Sequence, residues 1–218
     1  MPQLFTHHSN WIARASILGG LGLVTGVLVL LGAINRSEYT TDVGQARAQP
    51  VPFSHARHVA MNGIDCRYCH TSVEESGFAG IPPTETCMSC HSQVLVDAPM
   101  LEPVRESYRT GKPIQWARVH DVPDFVYFNH SIHIAKGVGC ESCHGRVDKM
   151  PMTWKVASMQ MEWCLDCHRD PAKNLRPKDK VFEMGYRPAG DQHTIGDSLV
   201  KAYNINLKQL TNCSVCHR

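Results

Sequence analysis

The 218-residue sequence has no excess of either charge, with 22 basic against 20 acidic residues and a formal charge of +2. That balance excludes a polyanion-binding surface built on bulk charge. Aromatic residues make up only 7%. Long periodic segments are scarce, because Gly and Pro interrupt most of the chain, so regular structure is expected to be sparse. No proton-transfer constellation and no activated nucleophile stands out. What is abundant is cysteine and histidine, 10 and 13 residues. A disulfide scaffold is the first reading of so many cysteines, but that class is usually under about 100 residues.

The spacing removes the disulfide reading. All ten cysteines fall in five copies of C-x-x-C-H: Cys66/Cys69/His70, Cys87/Cys90/His91, Cys140/Cys143/His144, Cys164/Cys167/His168 and Cys213/Cys216/His217. This is the attachment motif of c-type haem. The two thiols form thioethers with the haem vinyl groups, and the adjacent His is the proximal iron ligand. A zinc site or a redox dithiol needs no His after every second Cys, and no cysteine is left over for a disulfide. Five covalently attached haems are therefore expected.

Residues 15–34 carry no charge over 20 positions. At helical rise this spans a bilayer core of about 30 Å. A secretory signal has a shorter apolar region, about 7–15 residues, with a cleavage site close behind. Here the A-x-A match, Ala46-Arg47-Ala48, comes some twelve residues late. The reading is an uncleaved transmembrane anchor after a short tail, 1–14, and before a polar linker, 35–52. Arg14 before the span and Arg36 and Arg47 after it give a weak positive-inside signal. The haems orient the chain instead: c-type haem is attached outside the bacterial cytoplasmic membrane. The N-terminus is then cytoplasmic and the haem domain periplasmic. Gly22-x-x-x-Gly26 fits close approach of another membrane helix, though Gly is common in such helices.

The chain also repeats itself. Phe53-x-His55-x-x-His58 recurs as Phe128-x-His130-x-x-His133, offset by 75. Each copy is followed by two haem motifs, and the fifth motif closes the chain. Two units follow, 53–127 with two haems and 128–218 with three. The expected fold is a multihaem cytochrome c of short α-helices and irregular loops packed on haems. Short helices are expected near 100–110, ended by Gly111, and near 197–211.

The histidines form a ligand inventory. Five are proximal, and His7 and His8 precede the anchor as tail residues. His55, His58, His120, His130, His133 and His193 remain for five distal positions. His pairs at i and i+3 share a helical face but serve two irons more easily than one. His55, His58, His130 and His133 are read as distal ligands, with His120 favoured over His193 for the fifth. Met150, Met152, Met159 and Met161 cluster between the third and fourth motifs. They read mainly as packing side chains, and Met159 or Met161 is the alternative ligand, which would raise that haem's potential.

The F-x-H-x-x-H…C-x-x-C-H units resemble class III cytochromes of the c7/c3 type. That resemblance implies pairing of His55 with His70 and of His130 with His144, with His58 and His133 reaching the haems of His91 and His168. Over nearly its whole length the chain resembles the membrane-anchored pentahaem cytochrome subunit of bacterial alternative complex III. The opening Met1-Pro2-Gln3-Leu4-Phe5, the segment from Val119-His120 to Asn129-His130, and Met161-Glu162-Trp163-Cys164 carry the likeness. It implies membrane subunits that oxidise a quinol, an iron–sulfur subunit as donor, and a monohaem cytochrome or other periplasmic acceptor. On this reading the chain relays electrons and does no catalysis alone. One rival is a stand-alone quinol dehydrogenase of the NapC/NrfH type. Another is a catalytic multihaem reductase, but no C-x-x-C-K variant appears and distal His are in surplus. A third is an unrelated anchored shuttle.

Overall fold

The computed structural model describes residues 5, 6 and 8–217. His7 and the opening Met1–Leu4 lie outside them. The chain divides into two compact units between Val43 and Gly44.

The first unit is dominated by α1, Ser9–Arg36, with every described side chain of its apolar stretch exposed. At about 1.5 Å per residue, its 28 residues outlast a bilayer core. It is long and apolar enough to cross a membrane. The helix runs past the apolar stretch at both ends. Polar Asn10, Arg14, Asn35 and Arg36 continue the backbone hydrogen bonding, which hydropathy alone does not register. Ser37 ends it in extended backbone, its hydroxyl donating to the Ile34 carbonyl at 2.6 Å. A single turn, α2 (Glu38–Thr41), follows and is closed by Asp42 in the left-handed region.

The second unit contains all five motifs. Its first residues are docked against it: Gln49 both donates to and accepts from the Ala117 backbone, and Arg47 donates to the Arg118 carbonyl. Among the described residues there is no strand; Val138 and Leu175 form an isolated antiparallel bridge. The helices are short: α3 (Cys66–Cys69), α4 (Thr84–His91), α5 (Glu102–Thr110), α6 (His130–Ala135), α7 (Cys140–His144), α8 (Met161–Arg169), α9 (Gln192–Ala202) and α10 (Cys213–Cys216). Each haem motif thus has its cysteines on one helical turn. Helical spacing puts i, i+3 and i+4 on one face, so both thiols and the His converge there.

Helix α5 stops where Gly111 takes φ 69°, as the sequence suggests. The second expected helix, 197–211, is displaced. Helix α9 begins at Gln192 because the Asp191 carboxylate caps it, accepting from the Thr194 N–H at 2.8 Å. It ends at Ala202, and Asn204 turns the chain away with φ 50°.

Apolar packing is thin. Val51, Leu101 and Val104 form a small cluster against Cys87, Met88 and Trp116. Leu175 and Val181 are the largest fully buried side chains. Gly196 of α9 rests on the backbone of Ala172, so closely that a Cβ would collide with the Ala172 carbonyl group. That neighbour is backbone and cannot swing aside. Gly196→Ala is therefore expected to destabilise by about 1–3 kcal/mol, the usual cost of overpacking, despite a better helix propensity. A thermal melt checks this; an unchanged or raised midpoint would contradict it.

Candidate haem sites

The repeat in sequence is a repeat in geometry. Phe53 stacks on His58 (ring centres 4.4 Å apart, 23° between planes) and meets His55 edge-on (4.9 Å, 86°). Phe128 stacks on His133 (4.7 Å, 25°) and meets His130 edge-on (4.7 Å, 89°). One aromatic ring thus sets two imidazoles nearly perpendicular to one another in each unit. This gives the Phe of F-x-H-x-x-H its physical role.

Across from these imidazoles lie histidines of the haem motifs. His58 faces His91 with ring centres 6.2 Å apart, His130 faces His144 at 6.4 Å with planes 8° apart, and His133 faces His168 at 6.2 Å. Two imidazoles on opposite sides of one metal, each bonded at about 2.0–2.1 Å, leave ring centres about 6 Å apart. The separations fit two axial ligands sharing an iron. His55 lies within electrostatic reach of His70, His58 and His120.

The ring nitrogens are arranged for the same purpose. Nδ1 hydrogen-bonds a backbone carbonyl in His58 (Ser54), His70 (Gly80), His91 (Val94), His130 (Gly77), His133 (Asn129), His168 (Leu210) and His217 (Phe125), at 2.6 to 3.1 Å. In His55 the partner is the Thr153 hydroxyl at 3.1 Å. A carbonyl can only accept, so Nδ1 carries the proton and Nε2 keeps a free lone pair. That is the second-shell arrangement that orients a metal-binding imidazole and raises its basicity. Ser54 and Asn129 are equivalent positions of the repeat.

Burial keeps key groups neutral, the state a ligand needs. It pushes His144 down to about 3, with help from neighbouring histidines, and His55 and His120 down to about 4. His133 is lowered too, again chiefly by burial. Burial pushes the Cys143 thiol up to about 12 and Cys140 up to about 11. None of the ten cysteines is in a disulfide. Among the described residues, no group of three or more His, Cys, Asp or Glu converges on a point where a lone metal ion would sit. The donor set therefore fits pairs of axial ligands on a prosthetic group, with thiols poised for thioether formation.

The contested residues separate. His120 Nε2 is buried without a partner, and its ring lies 4.3 Å from that of His144. A buried nitrogen left unpaired is costly unless something fills the space beside it. His193 sits on the first turn of α9, its side chain 58% exposed and its Nε2 3.6 Å from the Asp170 carboxylate. Met161 is 65% exposed at the start of α8, whereas Met159 is half-buried with φ 57°. Met150 is in the core. His8 lies at the N-cap of α1, within the first unit.

One residue near the third motif gave no sequence signal. Arg176 is buried, with its Nε unpartnered, Nη1 donating to the Glu183 carbonyl, and its guanidinium 4.9 Å from the Tyr186 ring centre. It packs so tightly on Gly139, just before Cys140, that a Cβ there would collide with the guanidinium. Its charge favours the ionised form of the Cys140 thiol.

Comparison with known proteins points to covalently bound haem c. Residues 126–218 match the family described as cytochrome c7 and related cytochrome c. The chain is 35% identical over 172 residues to the "Menaquinone reductase, multiheme cytochrome c subunit" of Nitratidesulfovibrio vulgaris, covering 78% of this chain and 68% of the relative.

Proposed function

Because this chain belongs to the family of the menaquinone reductase multihaem cytochrome c subunit, we propose that it is the electron-transfer subunit of a membrane quinol:acceptor oxidoreductase of the alternative complex III type. The facing imidazole pairs, about 6.2–6.4 Å apart between ring centres, carry the proposal. Haem c bound there would supply one-electron redox chemistry, its potential set by axial ligands, burial and nearby charge. The chain's own residues do the rest. The ten cysteines anchor five haems, and His70, His91, His144, His168 and His217 are the proximal ligands. His55, His58, His130 and His133 are distal ligands, and His120 is the fifth. Carbonyls hold the imidazoles, Phe53 and Phe128 set ring orientation, and burial limits water at the third motif.

Ten histidines suffice to give five irons two protein ligands each, which would leave no seat for a substrate. This supports a relay over a catalytic multihaem reductase. Helix α1 would anchor the chain in the cytoplasmic membrane with residues 35–218 in the periplasm. The donor would be an iron–sulfur subunit fed by quinol-oxidising membrane subunits, and the acceptor a periplasmic cytochrome. Extraction in mild detergent is expected to recover the chain with those subunits. The isolated chain is expected not to be reduced by menaquinol. Recovery as a lone monomer that menaquinol reduces would instead establish a stand-alone quinol dehydrogenase.

A second reading concerns direction. The relative is named for reducing menaquinone, and the same relay conducts either way. Midpoint potentials mostly above that of menaquinone support quinol oxidation, and potentials mostly below it support menaquinone reduction.

A further inference from the structure

The connectivity leaves one thing open that the proposed relay depends on: the order of the haem sites in space. Contacts between motifs resolve it. The first and second motifs are joined by Tyr68 and Ser89, whose hydroxyls lie 2.8 Å apart. They are joined again by Phe53, which contacts both His55 and His58, the latter facing His91. The first motif next touches the third. Arg67 lies over the Phe182 ring at 4.6 Å, and the adjacent Val181 carbonyl accepts from the Cys140 N–H. His130, which faces His144, takes its Nδ1 partner from Gly77, just beyond the first motif.

The third and fourth motifs share one helical turn. His130 faces His144, and His133 on the same turn faces His168. The fourth and fifth are joined because His168 Nδ1 donates to the Leu210 carbonyl, three residues before Cys213. Each of these contacts joins neighbours of the same series.

Resting on the electron-relay reading, we infer that the five haem motifs lie in single file in the order second, first, third, fourth, fifth, so that the termini of the relay are the second and fifth sites and not the first and fifth. Exposure supports the two ends independently of those contacts. Cys90 and Cys213 are the two exposed cysteines of the ten, and they belong to the second and fifth motifs. Donor and acceptor would therefore dock near Cys90 and near Cys213, at opposite ends of the file. Helix α5, packed beside Cys87 and Met88, lies at the first of these ends.

Iron–iron distances in the oxidised full-length holoprotein, measured by pulsed electron paramagnetic resonance, test the order. Loss of the second haem through Cys87→Ala with Cys90→Ala should abolish the longest distance. Loss of the third through Cys140→Ala with Cys143→Ala should leave it in place. Persistence of the longest distance without the second haem would overturn the order. If either variant fails to fold, the iron positions of the wild-type holoprotein, located by anomalous scattering, read the order directly. Haem content separates the two levels of the argument. Fewer than five haems would defeat the relay reading itself, whereas five haems in another order would defeat this inference alone.

Discussion

Produced without haem attachment, residues 44–217 are expected to stay unfolded. Among the described residues only nine apolar side chains are buried: Val51, Val73, Leu101, Val104, Met150, Pro171, Ala172, Leu175 and Val181. There is no strand ladder, and the helices beyond α2 have at most 11 residues. Helices that short are marginal alone, because nucleation costs more than a few turns return. Ordering the backbone costs about 1–2 kcal/mol per residue, and this core cannot offset that. The missing apolar contact area is what prosthetic groups would supply, and binding free energy then becomes folding free energy. Hydrogen exchange on the full chain in detergent, matured and unmatured, makes the comparison. Protection should survive in α1 and vanish from α5 and α9 of the unmatured chain. Protected amides there would show a core able to stand alone.

His120→Ala is expected to convert one haem in five from low-spin to high-spin and open it to carbon monoxide, while His193→Ala leaves all five unchanged. The difference follows from where each imidazole stands. His120 Nε2 is buried with nothing to bond, and burial keeps the ring neutral by lowering its pKa to about 4. His193 Nε2 already faces Asp170 from an exposed position. His120→Met should restore a low-spin iron with a raised potential, since thioether ligation favours the reduced state. Low-spin spectra from all five haems in His120→Ala would remove His120 from the ligand set and turn attention to half-buried Met159.

Much of this site is legible in the sequence because haem attachment is local. Two thiols and a His must sit within five residues, so five motifs declare themselves without any knowledge of the fold. The 75-residue repeat is legible for the same reason. The apolar run announces α1, and Gly111 announces the end of α5. What holds the ligands in place is not local. His130 takes its Nδ1 partner 53 residues away at Gly77, His217 takes Phe125 at 92, and His55 takes Thr153 at 98. Five of the seven carbonyl acceptors belong to residues with no polar side chain, and all seven accept through the backbone, so residue type gives no warning. Arg176 looks like any surface arginine until Gly139 is seen beneath it. Helix α9 was displaced because Asp191 is a stronger start signal than the apolar spacing that follows it. The file order was hidden for a simpler reason: the chain visits the second site before returning past the first to the third.

Every C-x-x-C-H motif is expected to carry a haem. Intact mass spectrometry of the protein purified from its own membrane measures this. A single species of polypeptide mass plus five covalently bound haems is expected, matching the five motifs. A species with four or fewer, or one whose haem is lost on denaturation, would contradict it.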